Sequence, residues 1–149
     1  MRLVSPYELE YELRCIEPHS LLVPYPTTLV NNLPDGIRII TCPENANRLT
    51  GNSIVKVLDC LHAKIAVGKK GALLGSWNFS KSNYKYPNSP SIHIEAVLKI
   101  DTCDPIFPDI EKFFETWWAM ARTPAPFAIE SVSERNAIAV VAPALAQQK

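Results

Sequence analysis

His62 and Lys64 stand two residues apart, and Ser76 and Asn78 repeat that spacing farther along the chain. In an extended segment, residues two apart share a face. Each pair would therefore present both of its side chains on one side of a strand. An imidazole, an ammonium, a hydroxyl and an amide gathered on one patch suit a phosphate ester. Lys64 would neutralise a phosphate as a point charge. Ser76 and Asn78 would donate to its non-bridging oxygens. A neutral His62 can attack phosphorus and form a covalent intermediate. No cluster of carboxylates able to hold magnesium stands nearby, so the chemistry is expected to need neither metal nor cofactor.

Leu61 to Phe79 reads as two short strands joined by a tight turn. The simplest turn is a three-residue loop, Lys69-Lys70-Gly71, with Gly71 in the left-handed position. That register sets Gly68 opposite Ala72, Lys64 opposite Ser76 and His62 opposite Asn78. A two-residue loop would shift it by one and send Ser76 and Asn78 to the other face.

The remaining elements position this hairpin. Ser5, Pro6 and Glu8 carry the signals of a helix start, with the helix running to about Ile16. Strands are expected over 20–25, 37–42 and 54–58, with a weak helix over 27–33. Pro34-Asp35-Gly36 is a turn, and 43–52 is a polar loop or short helix. His19, at a helix-to-strand junction, reads as structural. Residues 80–91 form a loop in which Tyr84 and Tyr86 alternate with Lys81 and Lys85, a mixture suited to bases and phosphates. Ile92 to Ile100 is a strand with Ile92, Ile94, Ala96, Leu98 and Ile100 on its apolar face. His93, Glu95, Val97 and Lys99 take the other face. A catalytic histidine needs a partner on its second ring nitrogen, and Glu95 is the candidate. Residues 109–121 read as a helix with a broad apolar stripe (Ile110, Phe113, Phe114, Trp117, Trp118) for the core or a dimer interface. After Pro124 the pattern decays.

The chain has 149 residues, 47% of them hydrophobic, which suits one domain with a real core. Net charge is zero, but from Cys60 to Ile94 there are five lysines and no carboxylate. A locally positive face there would meet a phosphate-bearing substrate. The cysteines (Cys15, Cys42, Cys60, Cys103) form no CxxC pair, and Cys60-x-His62 is a poor zinc signal. With no apolar signal core at the start and no run of membrane-spanning length, the expectation is a cytoplasmic chain with free thiols.

His62-x-Lys64, ten residues, then Gly75-Ser76-x-Asn78 resembles the catalytic motif of the phospholipase D superfamily. The likeness is greatest to its short nucleases, in which one motif per chain forms a composite site in a homodimer. The resemblance implies an α/β (mixed α+β) fold: a phospholipase D-like mixed β-sheet flanked by helices, one domain over 1–122. Residues 123–149 would be a tail or interface arm. It implies His62 as nucleophile in one protomer and general acid in the other. Lys64 and Asn78 would hold the phosphate and Ser76 would support it. Glu95 matches the acid that orients the histidine. Lys69, Lys70, Lys81, Tyr84 and Lys85 would contact substrate. The first expectation is thus a homodimeric, metal-independent phosphodiesterase, a nuclease working through a phosphohistidine. Lys69 and Lys70 stand where the superfamily usually carries an Asp. That substitution supports a second reading, a non-catalytic nucleic-acid-binding or assembly module. A phospholipid phosphodiesterase or phosphatidyl transferase is a third.

Overall fold

Residues 18–22 and 38–41 (PHSLL and RIIT) form strands that lie largely buried inside a sheet. The computed structural model of the chain describes residues 1–4, 8–26, 28–49, 51–77, 79 and 96–125. Its elements are β1 (Arg2–Val4), α1 (Leu9–Cys15), β2 (Pro18–Leu22), α2 (Thr28–Asn31), β3 (Arg38–Thr41), a 3-10 turn (Pro43–Arg48), β4 (Ile54–Val57), β5 (Lys64–Gly68), β6 (Gly71–Gly75), β7 (Val97–Ile100) and α3 (Phe107–Met120). The strands form one seven-stranded sheet in the order β1-β7-β6-β5-β2-β3-β4. The pairs β2–β3 and β3–β4 are parallel and the other pairs antiparallel. This is a single-domain, mixed α+β architecture.

Helices cover both faces. α1 places Leu9, Leu13 and Ile16 on one stripe, and these pack with Leu29 and Val30 of α2 on Leu21, Ile39, Ala66 and Leu73. On the opposite face α3 sets Phe107, Ile110 and Phe114 on Leu22, Ile40, Ile65, Val67, Ala72 and Ile100. Each such buried Leu, Ile, Val or Phe side chain contributes roughly 1.5–3 kcal/mol. Glu12 of α1 is also buried, where it meets Arg2 of β1 and Lys99 of β7, the latter at 2.8 Å.

Most expected elements form, with ends displaced by a few residues. Three differences have physical reasons. β1 has no counterpart in the sequence reading, because three residues carry no readable period; it pairs with distant β7. Val97 is buried with the α1 cluster although it shares parity with Lys99. With helices on both faces, alternation no longer separates wet from dry. The capping residues Ser5 and Pro6 lie outside the described residues.

The third difference is in the hairpin. Gly68 pairs with Gly71 and Lys64 with Gly75, so the loop is the two residues Lys69 and Lys70. The expected three-residue loop does not form. The Lys69 N–H donates to the Glu17 carbonyl (3.2 Å) and the Lys70 N–H to that of Ile16 (3.0 Å). The end of α1 therefore fixes the turn. Gly71 keeps a positive φ of 142° and comes against the Ile100 carbonyl, a space with no room for a side chain.

Candidate functional site

β5 begins beside the carboxyl ends of the parallel strands β2 and β3, the end where open α/β sheets commonly take ligands. His62, just before β5, is exposed; Lys64, its first residue, is only 6% exposed. The Lys64 ammonium donates to the His62 carbonyl oxygen (2.8 Å) and stands 3.3 Å from His62 Nε2. An ammonium has donors only. His62 Nε2 must then accept, which puts the proton of the neutral ring on Nδ1. The HxK pair is thus built, with its lysine held largely within the protein.

The second half of the motif sits differently. With Lys64 opposite Gly75, strand parity assigns Ser76 to the other side of the hairpin. Trp77 takes the Lys64 parity instead, and it is buried with Phe79 in the α1-side core, ring centroids 4.9 Å apart. Ser76 closes the end of the β6–β7 ladder. Its N–H donates to the Ala96 carbonyl, and its hydroxyl oxygen accepts the Ala96 N–H, each at 3.1 Å. Gly75 is held by geometry, since a Cβ there would lie 2.9 Å from Val97 Cα and closer still to the Ala96 carbonyl oxygen.

Lys69 and Lys70 occupy the far end of the hairpin, about 16 Å from Lys64 at the usual strand rise. They cannot share a phosphate with it. Lys70 pairs with Glu17 at 2.5 Å, which holds the Glu17 carboxyl below its usual range and lifts the Lys70 ammonium. Asn78, Lys81, Tyr84, Lys85, His93 and Glu95 lie outside the described residues. Among the described residues no group of three or more His, Cys, Asp or Glu could hold a metal ion. The four cysteines are free thiols, and no described helix is long and apolar enough to cross a membrane.

His19, read from the sequence as structural, stands at the start of β2. It lines a crevice at the opposite end of the sheet from His62. Burial pushes its imidazole below the ordinary value of about 6.5, and the nearby Arg38 guanidinium adds to that. Glu111 and Glu115 oppose the shift, and Lys69 reinforces it. The unfolded chain therefore binds this proton more readily than the folded one. Stability should be full above the ordinary imidazole value and fall as pH drops through the window just below it. Urea midpoints across that window should show the loss. His19→Gln should flatten it, and an unchanged slope in that variant would show that another group is responsible.

The sequence matches no family model and no curated protein. Among solved structures, the chain is similar to TrmBL2, an archaeal chromatin protein described as showing a novel mode of DNA binding. The TM-score is 0.51 at 14% identity, over 81% of this chain and 53% of that one. The chain thus spans about half the length of this neighbour. The likeness is one of fold. It corrects the phosphodiesterase expectation, because the architecture matched belongs to a DNA-binding chromatin protein. The hairpin register supplies the physical reason, since Ser76 does not share the Lys64 face on which that chemistry depended.

Proposed function

We propose that this chain is a non-catalytic nucleic-acid-binding module that takes double-stranded DNA and assembles as a homodimer. The observation that carries the reading is the fold it shares with a DNA-binding chromatin protein. The run from Cys60 to Ile94, with five lysines and no carboxylate, supplies the charge such a surface needs. On this reading the domain is a phospholipase D-like sheet that keeps the His62–Lys64 pair as a fixed structural contact.

The test is fluorescence anisotropy on a labelled duplex over a range of salt, with the duplex recovered afterwards on a gel. Contacts to about three phosphates give a slope of log K against log salt near −2.7. Lys81→Glu with Lys85→Glu should reduce the magnitude of that slope by about one per lysine. The duplex should be recovered intact. A salt-independent interaction, or none, removes the proposal.

A further inference from the structure

The crevice beside His19 has a volume of about 440 Å³ and lies between the end of α1, the turn before β3 and the β5–β6 turn. Two backbone irregularities shape its wall. Glu17 has φ +51°, a left-handed conformation that costs a non-glycine residue energy. Then β2 bulges. Pro18 pairs with Gly68 and Ser20 with Val67, so His19 is the extra residue between them. Bulges re-aim a side chain, and they concentrate beside functional sites.

The state of the ring follows from its neighbours. Ser20 is fully buried, and its hydroxyl oxygen accepts a hydrogen bond from Arg38 Nη2 (3.0 Å). Its own proton then goes to His19 Nδ1, 2.9 Å away. The neutral ring carries its proton on Nε2, and that N–H has no partner among the described residues. The Lys69 ammonium, also lining the crevice, likewise has none. Arg14 adds a guanidinium, held only at 3.4 Å by Glu10. Glu17 is neutralised by Lys70. Asp35 uses Oδ2 to accept from Asn52 (3.1 Å) and keeps Oδ1 for another donor. Leu33, Pro34 and Ile37 give an apolar wall.

We propose that this crevice binds a small phosphorylated ligand of mononucleotide size. Lys69, Arg14 and the His19 Nε2–H would hold the phosphate. Asp35 would accept from a sugar hydroxyl, and the base would lie on the Leu33–Pro34 wall. A free nucleotide and the phosphorylated end of a nucleic-acid strand offer this same chemistry. The inference goes beyond duplex binding and does not rest on it, since Arg14, His19 and Asp35 lie outside the lysine run and only Lys69 is common to both.

The test is NMR of the histidine ring protons during titration with AMP. Parallel arms use adenosine, a 5′-phosphorylated oligonucleotide and its unphosphorylated twin. His19→Gln assigns the His19 signal. The expected result is a saturating shift of that signal with AMP and none with adenosine at the same concentration. A response to the phosphorylated oligonucleotide, absent with its twin, would name a strand end as a source. Lys69→Ala, at an exposed position, should weaken AMP binding about tenfold. His19→Leu should weaken it about threefold or more, while His19→Gln, which keeps a donor, should stay within about twofold of the parent. A His19 signal unmoved by AMP overturns the proposal. So does adenosine binding as tightly as AMP, or a Lys69→Ala protein that binds AMP unchanged.

Discussion

Gly75→Ala should leave the domain unfolded or nearly so, a loss of about 4 kcal/mol or more. β6 runs so close to β7 at this point that an added methyl would enter the Ala96 carbonyl oxygen and sit 2.9 Å from Val97 Cα. Both obstacles are backbone, so no side-chain rotation relieves them. The Ser76–Ala96 hydrogen bonds would break with the displacement. Gly36→Ala is the control. It has φ +80° but open space around the new Cβ, and should cost only about 1 kcal/mol. Urea denaturation of the two variants separates the cases. If Gly75→Ala melts like the parent, the β6–β7 approach is looser than described.

Phe114→Ala should cost about 3–5 kcal/mol. The ring is buried at the centre of the α3 face and stacks on Trp118 at 5.8 Å. The Arg38 guanidinium lies 5.0 Å above Phe114 and 5.4 Å from the Trp118 ring. Arg38 also pairs with Glu115 at 2.6 and 3.0 Å, and that bond holds the Glu115 carboxyl below its usual range. Glu115 is more than half exposed, so Glu115→Gln should change stability by less than about 1 kcal/mol. The ring anchors this corner and the ion pair trims it. A Phe114→Ala cost as small as that of Glu115→Gln would reverse the assignment.

The sequence showed where the sheet and the long helix lie, because those stretches carry their own periodicity. Ile37 to Cys42 and Ile54 to Leu58 were readable as strands. So was α3, from Ile110, Phe114 and Trp118. The hairpin was readable as a hairpin, but its loop length was not. Both loops suit Lys69-Lys70-Gly71, and the choice falls to the carbonyls of Ile16 and Glu17, which reach the turn only in the folded protein. One residue of loop decided which face Ser76 took, and with it the chemistry. His19 was unreadable for a related reason. A bulge exists only in the pairing of two strands, here β2 with β5. The chemistry of its ring depends on Ser20 and Arg38, which no local pattern connects.

Glu12 also bears on the order in which the molecule comes together. Five of the seven strands lie between Pro18 and Gly75 and can join over short loops. β1 cannot, because Arg2 must find Lys99, roughly a hundred residues away, and late closure is the slow kind. The two cations around Glu12 come from β1 and β7. A helix α1 seated before them carries a buried carboxylate without counterions, at a cost of several kcal/mol. Early docking of that helix is thereby penalised until both edge partners arrive. The last steps of assembly, helix seating and closure of the outer strands, are tied into one cooperative event.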